Sequence, residues 1–249
     1  MSEEDQRSQV EARWEQIGKE VSRAPGYTNE MEDLHDFFDM AADIWDEKFG
    51  PGSAQVYVEM AGQISPTEEK IRILDLGCGT GLELDQVFLR TPNASITGID
   101  LAAGMLNRLR EKYRSRADQI QLIEGNYLDV PFGEGEYDYA ISSLTTHHLP
   151  PENKVIVYRK IFKALKPCGS YIEGDQTTSQ EGEQDGLGRF RREVARLPEA
   201  DRARWNYDIT LSPDTNMRLL REAGFKVVNL IRDHKPGKCA VIAARKTAD

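Results

Sequence analysis

Long apolar runs are missing from this chain of 249 residues. None approaches the roughly 18 residues that a bilayer-crossing helix needs, so no membrane insertion is expected. Cysteine is scarce: Cys78, Cys168 and Cys239 are widely spread, odd in number and form no C-x-x-C pair. That argues against both a disulfide framework and a zinc site, and they read as free thiols. Positive charge is short as well, with 32 Lys and Arg against 42 Asp and Glu and a formal net charge of -10. Such a field repels polyanions, so nucleic acid is a disfavoured partner unless basic residues cluster locally. The opening MSEEDQRSQV has neither the basic start nor the apolar stretch of a secretory signal, and a cytoplasmic location is the expectation. Internal repeats and low-complexity tracts are absent too.

What is there falls into three zones. Val10, Trp14, Ile17 and Val21 recur at helical spacing, and after the Pro25-Gly26 break a second helical stretch runs from about Leu34 to Phe49. Residues 1–69 therefore form a helical preface packing on the core. At Ile71 the pattern changes: IRILDLG is a short apolar run ending in glycines, as expected of a buried parallel strand. Strands are expected near 71–76, 95–100, 120–125, 136–143 and 169–175, separated by helices near 81–90, 102–114 and 151–165. The alternation calls for an α/β, doubly wound, mostly parallel sheet with right-handed crossovers. The polar, arginine-rich stretch from Ser179 to Tyr207 interrupts it as an inserted helical cover, at about 177–210, and a helix at 213–223 comes next. The last two strands, 225–231 and 239–245, are joined by a connection too short for a crossover helix, so they pair antiparallel and complete seven strands.

The strongest chemical signal is Asp75-Leu76-Gly77-Cys78-Gly79-Thr80-Gly81, placed where the first strand turns into a helix. Glycines there let the backbone approach a ligand closely, and the N–H groups of a new helix attract a carboxylate or phosphate. A dinucleotide fingerprint needs its third glycine at position 82, which is Leu82; the spacing G-x-G-x-G makes NAD a poorer fit. The second strand ends in Asp100, 19 residues beyond Gly81, where a carboxylate can accept hydrogen bonds from both hydroxyls of a ribose. Alone such an acid is usually a cap or a solvated charge; here it completes a nucleoside site.

ILDLGCGTG, ITGIDLAAGML, IEGNYLDVPF, and YDYAISSLTTHHL followed by ALKPCGSYIEGD resemble, in order and spacing, the motifs of class I S-adenosylmethionine-dependent methyltransferases. The resemblance is strongest to the group that includes the ubiquinone/menaquinone-biosynthesis C-methyltransferases and many small-molecule enzymes, and it covers about residues 70–176. It implies a Rossmann-like methyltransferase domain over 70–249 that uses S-adenosylmethionine and releases S-adenosylhomocysteine. Carried onto this chain, it assigns Asp75, Gly77, Cys78, Gly79 and Gly81 to the methionine half of the cofactor and Asp100 to the ribose. Leu101 and Met105 would flank the adenine, Asn126 and the Tyr127 backbone would meet its amino group, and Ser142 and Ser143 would close the end of the fourth strand. With Asp100 on a loop facing ligand, Asp100→Ala is expected to weaken cofactor binding and leave folding little changed. Cys168 stands where the family's Lys-Pro-Gly-Gly turn has its first glycine, and a conformational adjustment is expected there.

Methyl transfer from a sulfonium needs mainly positioning, with a base only where the acceptor arrives protonated. Open α/β sheets bind ligands at the carboxyl ends of their strands, which selects Ser143, Thr146, His147 and His148 after the fourth strand and Asp175 after the fifth. His147, His148 and Asp175 are the catalytic candidates; a structural or cofactor-positioning role is the alternative, because family members frequently carry His-His-Leu here whatever their acceptor. Imidazole and carboxylate also suit divalent ions, but the spacing specifies no metal site. Tyr27, Trp45, Phe49, Thr146 and Trp205 are candidates for the acceptor pocket, although aromatics at helical spacing are more often core. From Arg189 to Trp205 six arginines stand against three acids. That run is either an ordinary solvated face or, through Arg189 or Arg192, a site for an anionic small molecule. A methyltransferase of tRNA or protein and a non-catalytic cofactor-binding protein are the competing readings. Acceptor identity and oligomeric state are not legible in these residues.

Overall fold

The computed structural model describes residues 34–197, 207–234 and 238–248; the helix expected at 10–21, Tyr27 and Trp205 lie outside them. Seven strands form one sheet: β1 (Arg72–Leu76), β2 (Ser95–Asp100), β3 (Ile120–Glu124), β4 (Tyr137–Ser143), β5 (Leu165–Gln176), β6 (Val227–His234) and β7 (Cys239–Arg245). Their order is β3-β2-β1-β4-β5-β7-β6, with β1 to β5 paired in parallel and β7 inserted antiparallel between β5 and β6. Ile73, Leu74, Asp75 and Leu76 of β1 are all buried, because both faces of the sheet are covered. Helices α2 (Trp45–Gly62), α3 (Leu84–Arg90) and α4 (Ala103–Lys112) supply the core on one face, and α5 (Pro151–Ala164) and α7 (Pro213–Glu222) the core on the other. Strand order reverses between β1 and β4, which opens a crevice at their carboxyl ends. Among the described residues no helix is long and apolar enough to cross a membrane.

Three departures from the sequence expectation have physical causes. The helix expected over Leu34 to Phe49 is two helices, α1 (Leu34–Ala41) and α2, and α2 runs through Pro51 to Gly62. Proline there removes one backbone hydrogen bond and costs about 3 kcal/mol. Against that, Val56, Tyr57, Met60 and Ala61 are buried, at about 1.5–3 kcal/mol for each large side chain. Gly174 permits the close approach, since a Cβ on it would lie 2.3 Å from Met60 Sδ and 2.6 Å from Val56 Cγ1.

The second departure is at the start of β5. The strand begins at Leu165 and runs through Cys168, which is exposed and adopts φ +64°. A left-handed backbone suits the glycine that stands here in the family and strains a cysteine by roughly 1–2 kcal/mol. Part of that returns through the greater freedom of glycine in the unfolded chain. Cys168→Gly is therefore expected to stabilise the protein by up to about 1 kcal/mol, visible as a higher urea midpoint at unchanged slope; a lower midpoint would contradict the strain.

The third concerns the cover. Helix α6 (Gln180–Val194) starts at Ser179, whose Oγ accepts the Gly182 N–H at 3.1 Å. None of its residues is fully buried, but Leu187 and Phe190 pack on the core beside Tyr207. Only one helical face of this arginine-rich segment is therefore anchored, over the crevice mouth.

Candidate active site

The three glycines after β1 all have left-handed backbones, at φ +61°, +48° and +70° for Gly77, Gly79 and Gly81, yet they do different things. A Cβ on Gly77 would lie 2.1 Å from Thr145 Oγ1, and one on Gly81 would crowd Leu84, Leu109 and Tyr113 at 3.1 Å. Gly81 also accepts the Tyr113 hydroxyl at 2.8 Å. These two seat the loop against the fold. Beside Gly79 a Cβ would meet nothing within 4 Å, and that glycine opens on a cavity of about 420 Å³.

Asp100 closes the loop from β2. Its Oδ2 accepts the Gly79 N–H at 2.8 Å and its Oδ1 the Ala102 N–H at 2.9 Å. Asp100→Ala would strip both donors of their acceptor, so the expectation that folding would be little changed is corrected: the carboxylate shapes the glycine loop. Burial pushes its pKa up, against the opposing pull of those N–H groups.

Asp75 does not line the cavity. It is fully buried behind Glu83, which does, and neither of its oxygens meets an N–H or O–H donor among the described residues; nor does Glu83 Oε1. Burial first, and the charge of Glu83 second, hold Asp75 well above the usual carboxylate range, and burial raises Glu83 too. Leu101, Met105, Asn126, Tyr127, Cys78 and Ser143 line the cavity, whereas Ser142 points the other way and shares a hydrogen bond of 2.6 Å with Tyr171. Asn126 Oδ1 already accepts the Leu128 N–H at 2.9 Å, which ties the turn after β3.

The far end of the cavity is formed by the 3-10 turn Thr146–His148 after β4. Strand alternation puts Glu173 and Asp175 on one face of β5, where Thr146 donates towards both carboxylates. Asp175 is buried and bonds His147 Nδ1 at 2.6 Å. His147 Nε2 and His148 Nδ1 then lie 3.6 and 3.5 Å from Asp208 Oδ1. Burial disfavours charge on both rings. In His147 the neighbouring Asp175 outweighs it and the pKa is raised; His148, next to His147, is lowered well below the ordinary value. Burial also works against charge on Asp175, but His147 and then Lys154 hold it below the usual carboxylate range.

Phe38 links the two ends as roof, with its ring 5.3 Å from Trp45 and 5.6 Å from His148. Of the acceptor candidates, Trp45 lines the cavity and Thr146 is turned into the carboxylates behind it. Phe49 lies on α2, while Tyr27 and Trp205 fall outside the described residues. Arg189 lines an adjoining groove that shares Tyr207 and Asp208 with the cavity; Arg192 is exposed and lines neither. Sequence reasoning missed Glu83, which reads as an ordinary acid near a helix start, and Asp208, which belongs to no motif.

A cavity with the glycine loop, Asp100 and Glu83 at one end suits a ligand that carries both hydroxyls and a cation. A methyltransferase domain family matches residues 73–169, the stretch that contributes the glycine loop, Asp100 and the histidine turn. Within that stretch the sequence is that of a methyltransferase domain, set in the sheet order of the class I S-adenosylmethionine-dependent fold. The chain is similar to 24-methylenesterol C-methyltransferase 2 of Oryza sativa, 26% identical over 159 residues that cover 57% of this chain and 43% of that protein. It is similar also to malonyl-(acyl-carrier protein) O-methyltransferase of Priestia megaterium, 34% identical over 104 residues, 42% of this chain and 36% of that one. The aligned stretch thus spans less than half of either relative. Among solved structures, an O-methyltransferase family protein from Burkholderia thailandensis superposes with a TM-score of 0.65 at 17% identity, covering 98% of this chain and 71% of that chain. At that identity the likeness speaks to the fold.

The methyltransferase domain is fitted to S-adenosylmethionine by residues on hand. Glu83, with Asp75 behind it, offers a carboxyl to an ammonium, Gly79 leaves room at the backbone, and Leu101 and Met105 give an apolar seat for a base.

Proposed function

We propose that the chain transfers a methyl group from S-adenosylmethionine to a small-molecule acceptor in the cytoplasm. The observation that carries this reading is a single cavity joining the glycine loop to the His147–His148 turn. When bound, the cofactor supplies a methyl carbon made electrophilic by its sulfonium. Everything else is the work of the chain. Asp100 and the Gly79 loop orient the donor, and Phe38, Trp45 and Tyr57 roof the site against water. Asp175, on Nδ1, fixes the His147 ring so that Nε2 faces the Asp208 side of the cavity. Arg189, at the edge of the cover, gives the entrance a cation that suits an acidic acceptor. The helical preface and the cover at about 177–210 serve in this reading as the parts that shape acceptor choice. The two curated relatives are named for a carbon and an oxygen acceptor, so the acceptor atom does not transfer by similarity.

Calorimetric titration tests the first half. S-adenosylhomocysteine is expected to bind and, at 100 times its Kd, to stabilise the fold by about 2.7 kcal/mol, whereas NAD is not expected to bind. Incubation with S-adenosylmethionine and fractionated metabolites should then release S-adenosylhomocysteine. NAD binding without S-adenosylhomocysteine binding would reject the reading; binding without turnover in any fraction would leave a cofactor-binding protein and not an enzyme.

A further inference from the structure

Two imidazoles and a carboxylate converge in the cavity wall away from the glycine loop, and methyl transfer as such requires no such trio. We propose that His147, His148 and Asp208 form a divalent-cation site whose open positions bind the acceptor through a hydroxyl or carboxylate oxygen. The cation site stands on its own geometry; its use by the acceptor rests on the methyl-transfer reading.

One ligand atom from each of the three residues lies within 4.8 Å of the other two, with His147 Nε2 and His148 Nδ1 at 3.6 and 3.5 Å from Asp208 Oδ1. Donors sharing an ion at about 2.0–2.2 Å stand roughly 3–3.5 Å apart. Asp208 Oδ1 already stands at about that distance from both nitrogens, and its side chain, 59% exposed, is free to adjust to an ion between them. Both rings are already aimed. The His148 side chain is 8% exposed and its Nδ1 has no hydrogen-bond partner among the described residues. A buried nitrogen left without a partner is an uncompensated cost unless something fills the place.

His147 carries a second mark. Its other nitrogen bonds Asp175 at 2.6 Å, and Asp175 is itself held by Thr146 at 2.6 Å. A carboxylate behind a metal-binding histidine fixes the tautomer and turns the outer lone pair towards the ion. Two imidazoles and one carboxylate suit a first-row transition ion such as Mn, Fe, Co, Ni or Zn better than Mg or Ca, which prefer all-oxygen sets, and leave coordination positions open. Those positions face the cavity that His147, His148 and Asp208 line together with the glycine loop. An acceptor hydroxyl bound there is made more acidic; its proton leaves to solvent past the exposed Asp208, and its oxygen is retained on the ion as an anion. Vicinal oxygens, as in a diol or a hydroxy acid, would fill two positions at once.

The test uses the full chain, stripped with a chelator and titrated with Co(II) alone, followed by calorimetry and by the visible bands of the bound ion. One equivalent per chain is expected. His148→Gln and Asp208→Asn should each weaken binding more than about tenfold, and Asp175→Asn, acting through His147, by about 10- to 100-fold. S-adenosylhomocysteine affinity of the same variants should stay as in the parent, which reports an intact fold. Absence of binding in the micromolar range, or His148→Gln binding Co(II) like the parent, would overturn the site. Turnover that stops on chelation and returns with the ion supports the acceptor role, and turnover undiminished after chelation overturns it. One-equivalent binding with no turnover of any acceptor supports the site and counts against methyl transfer.

Discussion

Lys154→Met is expected to cost about 3–5 kcal/mol of stability, the cost of breaking a buried ion pair from one side. Lys154 is fully buried on α5, donates to Asn216 at 2.8 Å and lies 3.4 Å from Glu173 Oε1. Glu173 also accepts the Tyr158 hydroxyl at 2.7 Å, and Thr146 bridges it to Asp175. Two buried carboxylates thus share Lys154 and the His147 ring as counter-charges. Without the lysine, Glu173 keeps its charge only at a large desolvation cost. Paired replacement, Lys154→Met with Glu173→Gln, should recover most of the loss, since removing both members leaves no orphan charge. Urea unfolding of the two single variants and the pair measures the coupling. A loss below about 1 kcal/mol for Lys154→Met would mean that the pair behaves like an exposed one.

At the other end of the cavity, Glu83→Gln is expected to weaken S-adenosylmethionine binding by about 10- to 100-fold, corresponding to a lost charge-assisted contact of about 1.5–3 kcal/mol. The ligand-free fold should hold or gain stability, because the desolvation cost of a buried carboxylate is removed while the Gln amide can still hydrogen-bond Asp75. The same pair dictates a pH dependence. Asp75 and Glu83 have raised pKa values, and so does Asp100 beside them, while Lys112 pulls Glu83 the opposite way. From about pH 4, where an unfolded carboxyl ionises, up through the raised values, the folded chain holds protons that the unfolded chain has lost. Stability of the ligand-free protein contributed by these groups therefore falls as pH rises across that window. A bound cation favours the ionised acids, so binding should release protons and tighten as pH rises. Melting of the ligand-free and S-adenosylmethionine-saturated protein from about pH 5 to about pH 8 should show a widening gap. Calorimetry in buffers of different ionisation enthalpy should show the proton release. A gap independent of pH, with no proton released, would exclude the acid pair as the ammonium site.

The alternation of strands and helices, the turn at Gly77 to Gly81 and the acid at the end of β2 were legible in the sequence because each is a local property. An apolar run has a period, a tight turn needs glycine, and a strand end exposes the residue after it. What tertiary structure decided is which neighbour faces in and what meets it from afar. Ser143 lines the cavity and Ser142 does not; Thr145 lines it and Thr146 does not. Residue type is the same in both pairs, and only the pleat and the turn after β4 separate them. The lodging of Asp75 behind Glu83, the passage of α2 through Pro51 and the placement of Asp208 beside His147 and His148 depend on packing between segments distant along the chain. No local pattern encodes such meetings, because their free energy comes from burial and charge shared across the fold and not from the residues' own conformational preferences.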